Sequence, residues 1–456
     1  MLKRKITAEF EKWRDAKSDK RKKALLVYGA RQVGKSYAIR DFASRNYASY
    51  IEINLFENKQ AKNALLDAQN ANEFISRITI LSGKQIVNDD TLVFIDEIQE
   101  APELMTMLKF LVDDGRCSWI FSGSMLGTEF KGIRSYPVGY VHELYMKPMD
   151  WEEFCWAIGI SDETFKTIQE CCLAEKPVPE YLHNIMMSNF RSYLVVGGMP
   201  EVVAKFIETS GDFSAVRSIQ AELNKQYRRD ISKYAGTRSL QVQSIFDQLP
   251  VQLEGDSQRF VLNSIDPDAR FEKYQRDFVW LQNAGVALKT ELVNEPKSPL
   301  LKTANISKFK LYQSDTGMLL ARYPLGVAQS AYLGNNEFNL GGIYENLIAQ
   351  ELTAHDFKLY YYQTNKRGEV DFVIEDSRGE VVPIEVKSGR YYHAHAALDN
   401  ILETPAYKIS KGIVFSKGNI ERKDKVLYLP FYALFVLPKL ISAGVDDDFK
   451  IKAIRI

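Results

Sequence analysis

Gly29-Ala30-Arg31-Gln32-Val33-Gly34-Lys35-Ser36 follows the apolar run Ala24 to Tyr28 and opens an amphipathic segment. That order predicts strand, glycine loop and helix, the context required of a phosphate-binding loop. The glycines let backbone N–H groups turn inward around phosphates, Lys35 reaches the β- and γ-oxygens, and the Ser36 hydroxyl is placed for Mg²⁺. Gly29, Ala30, Arg31, Gln32, Val33, Gly34, Lys35 and Ser36 are therefore the expected nucleotide-binding residues, with ATP and Mg²⁺ as the expected cofactors. The competing reading is a glycine-rich turn that binds nothing. Against it stands Thr91 to Ile95, a buried parallel strand by pattern, which ends in Asp96-Glu97 where open α/β sheets place their ligands. Asp96 is expected to hold Mg²⁺ and Glu97 to polarise the attacking water, with Lys35 and Glu97 as the catalytic pair.

A chain of 456 residues exceeds one core and predicts about three domains. Lys plus Arg equals Asp plus Glu at 59 each, so no global field draws it to nucleic acid, and any such binding must be local. Lys3-Arg4-Lys5 and Lys20-Arg21-Lys22-Lys23 form a basic patch whose plainer reading is a solvated leader. Cys117, Cys155, Cys171 and Cys172 have neither metal-ligand spacing nor the density of a disulfide framework, which fits a reducing cytoplasm. The sequence predicts no secretory apolar core, no membrane-spanning stretch and no membrane partner.

Strands are expected at Tyr50 to Leu55, Thr91 to Ile95, Ser118 to Phe121 and Val141 to Tyr145, with Glu103 to Val112 as the clearest helix, giving a parallel α/β domain over 1–150. Ser122-Gly123-Ser124 follows one strand; Ser122 or Ser124 can sense a γ-phosphate, and a tight turn explains them equally. Trp151 to Ile207 reads as helical, broken at Val195-Val196-Gly197-Gly198-Met199-Pro200, and suggests a lid over 151–215. Ser218 to Tyr234 reads as a polar helix with a solvated face. Phe271 to Leu281, the Asn283-Ala284-Gly285 turn and the strand Val286 to Val293 suggest a winged-helix module within 216–335, a DNA-binding or protein-packing unit.

The last segment, 336–456, begins with a helix whose apolar stripe is Ile343, Leu347, Ile348 and Leu352 and which carries Glu345. Strands follow at Leu359 to Gln363, Glu369 to Glu375 and Glu380 to Lys387, the last two flanking Ser377-Arg378-Gly379. A regular hairpin pairs Asp376 with Glu380 and sets Asp371 opposite Glu385, with Lys387 on their face. Asp371 and Glu385 can hold Mg²⁺ there, with Lys387 beside the attacked phosphate. The alternative is a salt-bridged solvent face, supported by Glu369 on the same face and by Pro383.

This pattern resembles the D-(x)n-E-x-K core of the PD-(D/E)xK nuclease superfamily, in which Glu345 matches an accessory metal-binding acid. The whole chain resembles the prokaryotic AAA+-type ATPases fused to a C-terminal PD-(D/E)xK-like domain of unknown function. The resemblance rests on Gly29 to Ser36, Asp96-Glu97-Ile98-Gln99, Ser122-Gly123-Ser124, Tyr193 to Glu201, Phe309-Lys310-Leu311-Tyr312, Asp315-Thr316-Gly317 and Glu385 to Gly389. It implies an α/β fold: a P-loop AAA+-like parallel-sheet domain, a helical lid, a winged helix and an α/β restriction-endonuclease-like domain. Gly139-Tyr140 departs from the Gly-Arg of many relatives, leaving Arg134, Arg228 and Arg229 as candidate arginine fingers. Two functions follow: an ATPase coupled to Mg²⁺-dependent cleavage, with DNA the favoured partner, or an ATP-dependent scaffold that binds nucleic acid or protein with an inactive nuclease-like domain. Homo-oligomer formation is compatible with either.

Overall fold

The computed structural model describes residues 2–16, 22–87, 90–124, 137–255, 257–335, 337–376 and 378–442. The chain divides into two compact units, one formed by Met1–Met149, Met199–Phe246 and Glu272–Ala287, the other by Asp150–Gly198, Asp247–Phe271 and Leu288–Ile456.

The first unit is built on five strands, β1 (Ala24–Gly29), β2 (Ser49–Asn54), β3 (Thr91–Asp96), β4 (Ser118–Ser124) and β5 (Val141–Tyr145), in the order β2-β3-β4-β1-β5. Every pairing is parallel. The inner strands are continuous apolar runs because helices must cover both faces of such a sheet; β3 and β4 are buried throughout, whereas β5, at the edge, is partly exposed. The register sets Gly29 beside Ser124 and Asn54 beside Asp96, so the C-terminal strand ends fall along one edge. The helix expected at Glu103 to Val112 differs: Pro102–Met107 is 3-10, opened by Pro102 and burying the adjacent Leu104 and Met105, and α-helix runs only over Leu108–Asp114.

The second unit holds an eight-stranded sheet of β6 (Ala287–Val293), β7 (Ala304–Gln313), β8 (Tyr360–Thr364), β9 (Gly368–Glu375), β10 (Val381–Lys387), β11 (Gly412–Ser416), β12 (Glu421–Lys423) and β13 (Val426–Pro430). Their order is β12-β13-β11-β10-β9-β8-β6-β7. The Gly341–Ala354 helix packs against β7 and β10, and the Ala396–Leu402 helix against β9 and β10. Leu398 and Ile401 of the latter join Tyr360, Val373 and Val414 in one core. The β9–β10 hairpin has the expected register: Asp376 N–H donates to Glu380 O at 2.9 Å, and pairs run from Glu375 with Val381 to Phe372 with Ile384, which sets Asp371 opposite Glu385. Pro383 is tolerated because parallel pairing with β11 begins one residue later, at Ile384.

Two expected boundaries fall elsewhere. β6 pairs in parallel with β8, so the strands assigned to a separate winged-helix module are part of the sheet that carries Asp371 and Glu385. The segment read as one lid divides after Gly198: the helices before it pack in the second unit, where Trp151 meets Phe190 and Phe190 stacks on Phe431. Apolar spacing shows that a helix buries a face but not which partner buries it.

The Gly197-Gly198 break and Asp315-Thr316-Gly317 clasp each other. Asp315 accepts N–H bonds from Gly198 at 2.5 Å and Met318 at 2.8 Å. A Cβ on Gly317 would stand 2.2 Å from the Val196 carbonyl oxygen, and one on Gly197 2.3 Å from Asp315 Oδ1. The Gly317 contact is with backbone, and Gly197 meets the backbone N of Gly317 at 2.8 Å as well as the Asp315 carboxylate, so the pair cannot relax around an added methyl. Gly317→Ala is expected to destabilise the second unit by about 2–3 kcal/mol, read as a lowered urea midpoint, while Gly326→Ala, whose Cβ would meet only ordinary contacts, leaves it nearly unmoved.

Candidate nucleotide site and a buried carboxylate cluster

The loop after β1 is shaped by crowding and by left-handed backbone. Gly29 lies at φ 154°, and a Cβ there would stand 2.1 Å from Met146 O, so only glycine lets the chain leave the sheet here. Gln32 and Gly34 have φ of 65° and 92°, after which the Lys35–Asn46 helix begins. Arg4, read from sequence as part of a solvated leader, donates to Val33 O and Lys147 O at 2.8 Å each and braces the loop. Lys22 bonds Tyr47 and Ser118 at 3.0 Å and lies over Trp13, so this part of the basic patch is used internally. Lys20 and Arg21 lie outside the described residues.

Lys35 is buried and donates to Gly29 O at 3.0 Å and Ala30 O at 2.8 Å. Burial pulls its ammonium down to about 8, against the opposing pull of Glu97 and Asp96. Asp96 accepts from Ser36 Oγ at 2.8 Å on one oxygen; on the other it accepts from Glu97 N at 2.9 Å and also from Ser122 Oγ. Ser36 and Asp96 supply the hard oxygen donors Mg²⁺ prefers, so this set fits that ion. Glu97 turns the chain through φ 57° and receives the Gln99 side-chain amide. Of the two serines proposed as phosphate sensors, Ser122 is committed to Asp96, while the Ser124 hydroxyl is buried with no hydrogen-bond partner among the described residues.

Sequence reading missed the partners of Arg31. Its guanidinium bonds Asp230 at 2.6 Å and Tyr234 OH at 3.0 Å, and Tyr227 OH donates to Arg31 O at 3.3 Å. Tyr227, Asp230 and Tyr234 stand three and four residues apart on the Phe213–Tyr234 helix, the spacing of one face, hidden because the segment is rich in charge. Arg228 and Arg229 are exposed on that helix, Arg229 paired with Glu222 at 3.5 Å, and Arg134 lies outside the described residues.

In the second unit the expected metal residues meet a different charge balance. Glu385 and Glu345 are buried, so the solvated-face alternative fails for them. Lys310, from β7, is fully buried and ion-paired with Glu345 at 3.1 Å and Glu369 at 2.6 Å; Tyr312 OH donates to Glu345 at 2.9 Å. Burial alone lowers Lys310, but Glu345, Tyr312 and Glu369 hold it well above the ordinary lysine value, so it stays charged. Burial lifts Glu345 to about 7 despite Lys310. Glu385, buried and hydrogen-bonded to Asp371, is held well above the usual carboxylate range, while Lys387 approaches it at 3.5 Å and Asp371 accepts Val386 N–H at 2.7 Å. Among the described residues, three candidate metal-donor atoms come within 4.8 Å of one another only at Asp150, Glu152 and His355. Asp371, Glu385 and Glu345, expected to hold Mg²⁺, thus do not converge as three metal donors among the described residues, and Lys310 is ion-paired with Glu345 instead. Glu369, which the motif did not include, is a full member of this cluster.

Residues 21–155 match the family described as AAA domain, and the first unit carries a P-loop AAA-type ATPase domain. Residues 187–330 and 340–434 match two further families, each described as a domain of unknown function. No curated protein matches the chain. Among solved structures, a Walker-type ATPase of Pyrococcus abyssi is similar at 15% identity over 71% of this chain and 96% of that one, with a TM-score of 0.45. The Aeropyrum pernix Orc1 protein in complex with DNA is similar at 12% identity over 72% and 92%, with a TM-score of 0.28. Domain III of the Thermotoga maritima replication initiation protein DnaA is similar at 16% identity over 47% and 91%, also with a TM-score of 0.28. Among the described residues no helix is long and apolar enough to cross a membrane.

The lowered Lys35 value has a signed consequence. Below about pH 8 the ammonium is already in place for phosphate; above it the empty site releases the proton, which binding must restore. ATP affinity measured by equilibrium dialysis is therefore expected to weaken about tenfold from pH 7 to pH 9, and Lys35→Met is expected to bind weakly with no such dependence.

Proposed function

We propose that this protein binds and hydrolyses ATP, and that its C-terminal unit engages a partner, DNA first, without cutting it. The observation that carries the first half is the convergence of Lys35, Ser36, Asp96 and Glu97 at the C-terminal ends of β1 and β3, the edge of a parallel sheet where ligands bind. Mg²⁺, when bound, neutralises phosphate charge, and Ser36 with Asp96 would hold it. Lys35 binds β- and γ-oxygens, and Glu97 takes the proton of the attacking water, positioned for this by the Gln99 amide.

The second half rests on Lys310. Cleavage by the D-(x)n-E-x-K route needs Asp371, Glu385 and Glu345 free to gather a divalent cation, with Lys387 at the attacked phosphate. A fixed ammonium tied to Glu345 and Glu369 leaves a packed, ion-paired cluster suited to shape and binding rather than to chemistry. The net charge of zero means DNA contact would be local and electrostatic, so affinity should fall steeply with added salt.

Glu97→Gln is expected to keep ATP binding and lose at least about a hundredfold in turnover, whereas Lys35→Ala loses binding itself. Unmutated turnover by Glu97→Gln would show that Glu97 is not the base. With Mg²⁺ or Mn²⁺, the full chain is expected to leave labelled single- and double-stranded DNA and RNA intact while shifting DNA anisotropy at low salt. Metal-dependent cutting abolished by Asp371→Ala and by Glu385→Ala would instead establish the nuclease.

A further inference from the structure

Three cations of the second unit gather where no carboxylate of the described residues holds them. Arg191 Nε donates to Tyr332 O at 3.0 Å and Lys417 Nζ to Gly334 O at 3.3 Å, so both rest on the carbonyl end of the Leu325–Leu333 helix. A helix C-terminus favours cations, but its partial charge fixes them in place without neutralising them. The third cation, Arg390, comes from the sheet. Lys387 pairs with Ser416 in parallel register, so the chains after β10 and β11 leave the sheet side by side, one carrying Arg390 and the other Lys417. The two loops touch: a Cβ on Gly418 would stand 2.7 Å from the Tyr392 ring. Burial, and then the charges of Arg191 and Arg390, pull the Lys417 ammonium down, with no carboxylate among the described residues acting against them. Of the acids on the adjoining strands, Glu421 of β12 is paired with His393 and Lys423, and Glu385 of β10 with Lys387. Like charges held together in this way repel one another until an anion joins them.

Exposed rings flank the charges. Tyr391, next to Arg390, is 88% exposed, and Tyr332, whose carbonyl holds Arg191, is 50% exposed. Tyr392 instead packs on Tyr428, with ring centroids 6.0 Å apart, so one tyrosine anchors the loop and its neighbour is presented to solvent.

We propose that this surface binds single-stranded DNA, with Arg191, Arg390 and Lys417 on the backbone phosphates and Tyr391 and Tyr332 stacking on bases. The inference rests on the DNA-binding reading above and adds to it the form of the strand and the residues that hold it. Phosphates bring the negative charge that the three cations lack, and a guanidinium offers them a two-pronged donor. Bases bring flat apolar faces to the two rings. A single strand supplies both at once, because its bases are free to turn out, whereas a duplex keeps all but its end faces covered by neighbouring pairs.

The test follows the fluorescence anisotropy of labelled oligothymidylate, a duplex of equal length and poly-glutamate, each titrated with the full chain over a range of salt. The unmutated chain is expected to bind the single strand most tightly. Arg390 and Tyr391 are both exposed, so their replacement leaves the fold in place and ATP affinity unchanged. Arg390→Ala is expected to lower the slope of log K against log salt for the single strand by about 0.7, the share of one phosphate contact. Tyr391→Ala is expected to weaken the single strand about tenfold with the slope unchanged, and Tyr391→Phe to restore it. Affinity and slope unmoved in both alanine variants, or a duplex bound more tightly than the single strand, would overturn the proposal and leave DNA binding standing. Tighter binding of poly-glutamate than of the single strand would overturn it in favour of an acidic peptide. Binding of no DNA by the unmutated chain would overturn the DNA reading itself, and this surface's role with it.

Discussion

The first unit depends on the solvation of one carboxylate. Asp96 ends a strand that is buried along its whole length and is itself 4% exposed, so an unaccompanied charge there would cost several kcal/mol. Three donors replace its water: Ser36 from the helix after the loop, Ser122 from β4, and the N–H of Glu97. Satisfying this group therefore ties the loop helix, β3 and β4 together at one sheet edge. The same bonds hold the site's geometry before any ligand arrives, so the order of the site and the solvation of Asp96 are one requirement.

The second unit meets a larger version of the same problem in another way. Glu345, Glu369, Asp371 and Glu385 share one region, and hydroxyls alone cannot balance four carboxylates. Lys310 supplies a positive charge from the edge strand β7, and burial beside Asp371 raises Glu385 well above the usual carboxylate range. The two solutions differ in what can replace them. A hydroxyl on Asp96 can turn its lone pairs to a cation while the carboxylate stays put. A buried ammonium must leave before a cation enters, and it has no water to leave for.

How far the sequence could be read follows from the range of the interactions. The loop, β3 and the β9–β10 register were legible because each is local: a short turn closing at Glu380 fixes every later pair, including Asp371 with Glu385. Lys310 was not, because it stands more than sixty residues before Asp371 and sits between apolar neighbours in a pattern that reads as a half-exposed strand. Its burial comes from the helix Gly341–Ala354 lying across β7. The division after Gly198 was equally hidden, although both of its anchors, Gly197-Gly198 and Asp315 to Gly317, were visible as motifs; only folding shows that they bond each other. Arg4, Tyr227 and Asp230 were misread for one reason: charge and polarity were taken for exposure, whereas each is spent on the backbone or side chains of the phosphate loop.

In this structure the loop is already satisfied by the protein. Lys35 is bonded to two carbonyls, Ser36 to Asp96, and Arg31 to Asp230. Nucleotide binding must therefore be an exchange of partners, and its free energy a difference between bonds of similar strength. The exchanges are not equivalent. Lys35 and Ser36 each give up a bond within the loop or to Asp96, whereas Arg31 gives up a carboxylate and a hydroxyl carried by the Phe213–Tyr234 helix. Any ligand that drew the Arg31 guanidinium away would therefore break the side-chain bonds that tie this helix to the loop, so the state of the loop and the seat of the helix are coupled through one residue.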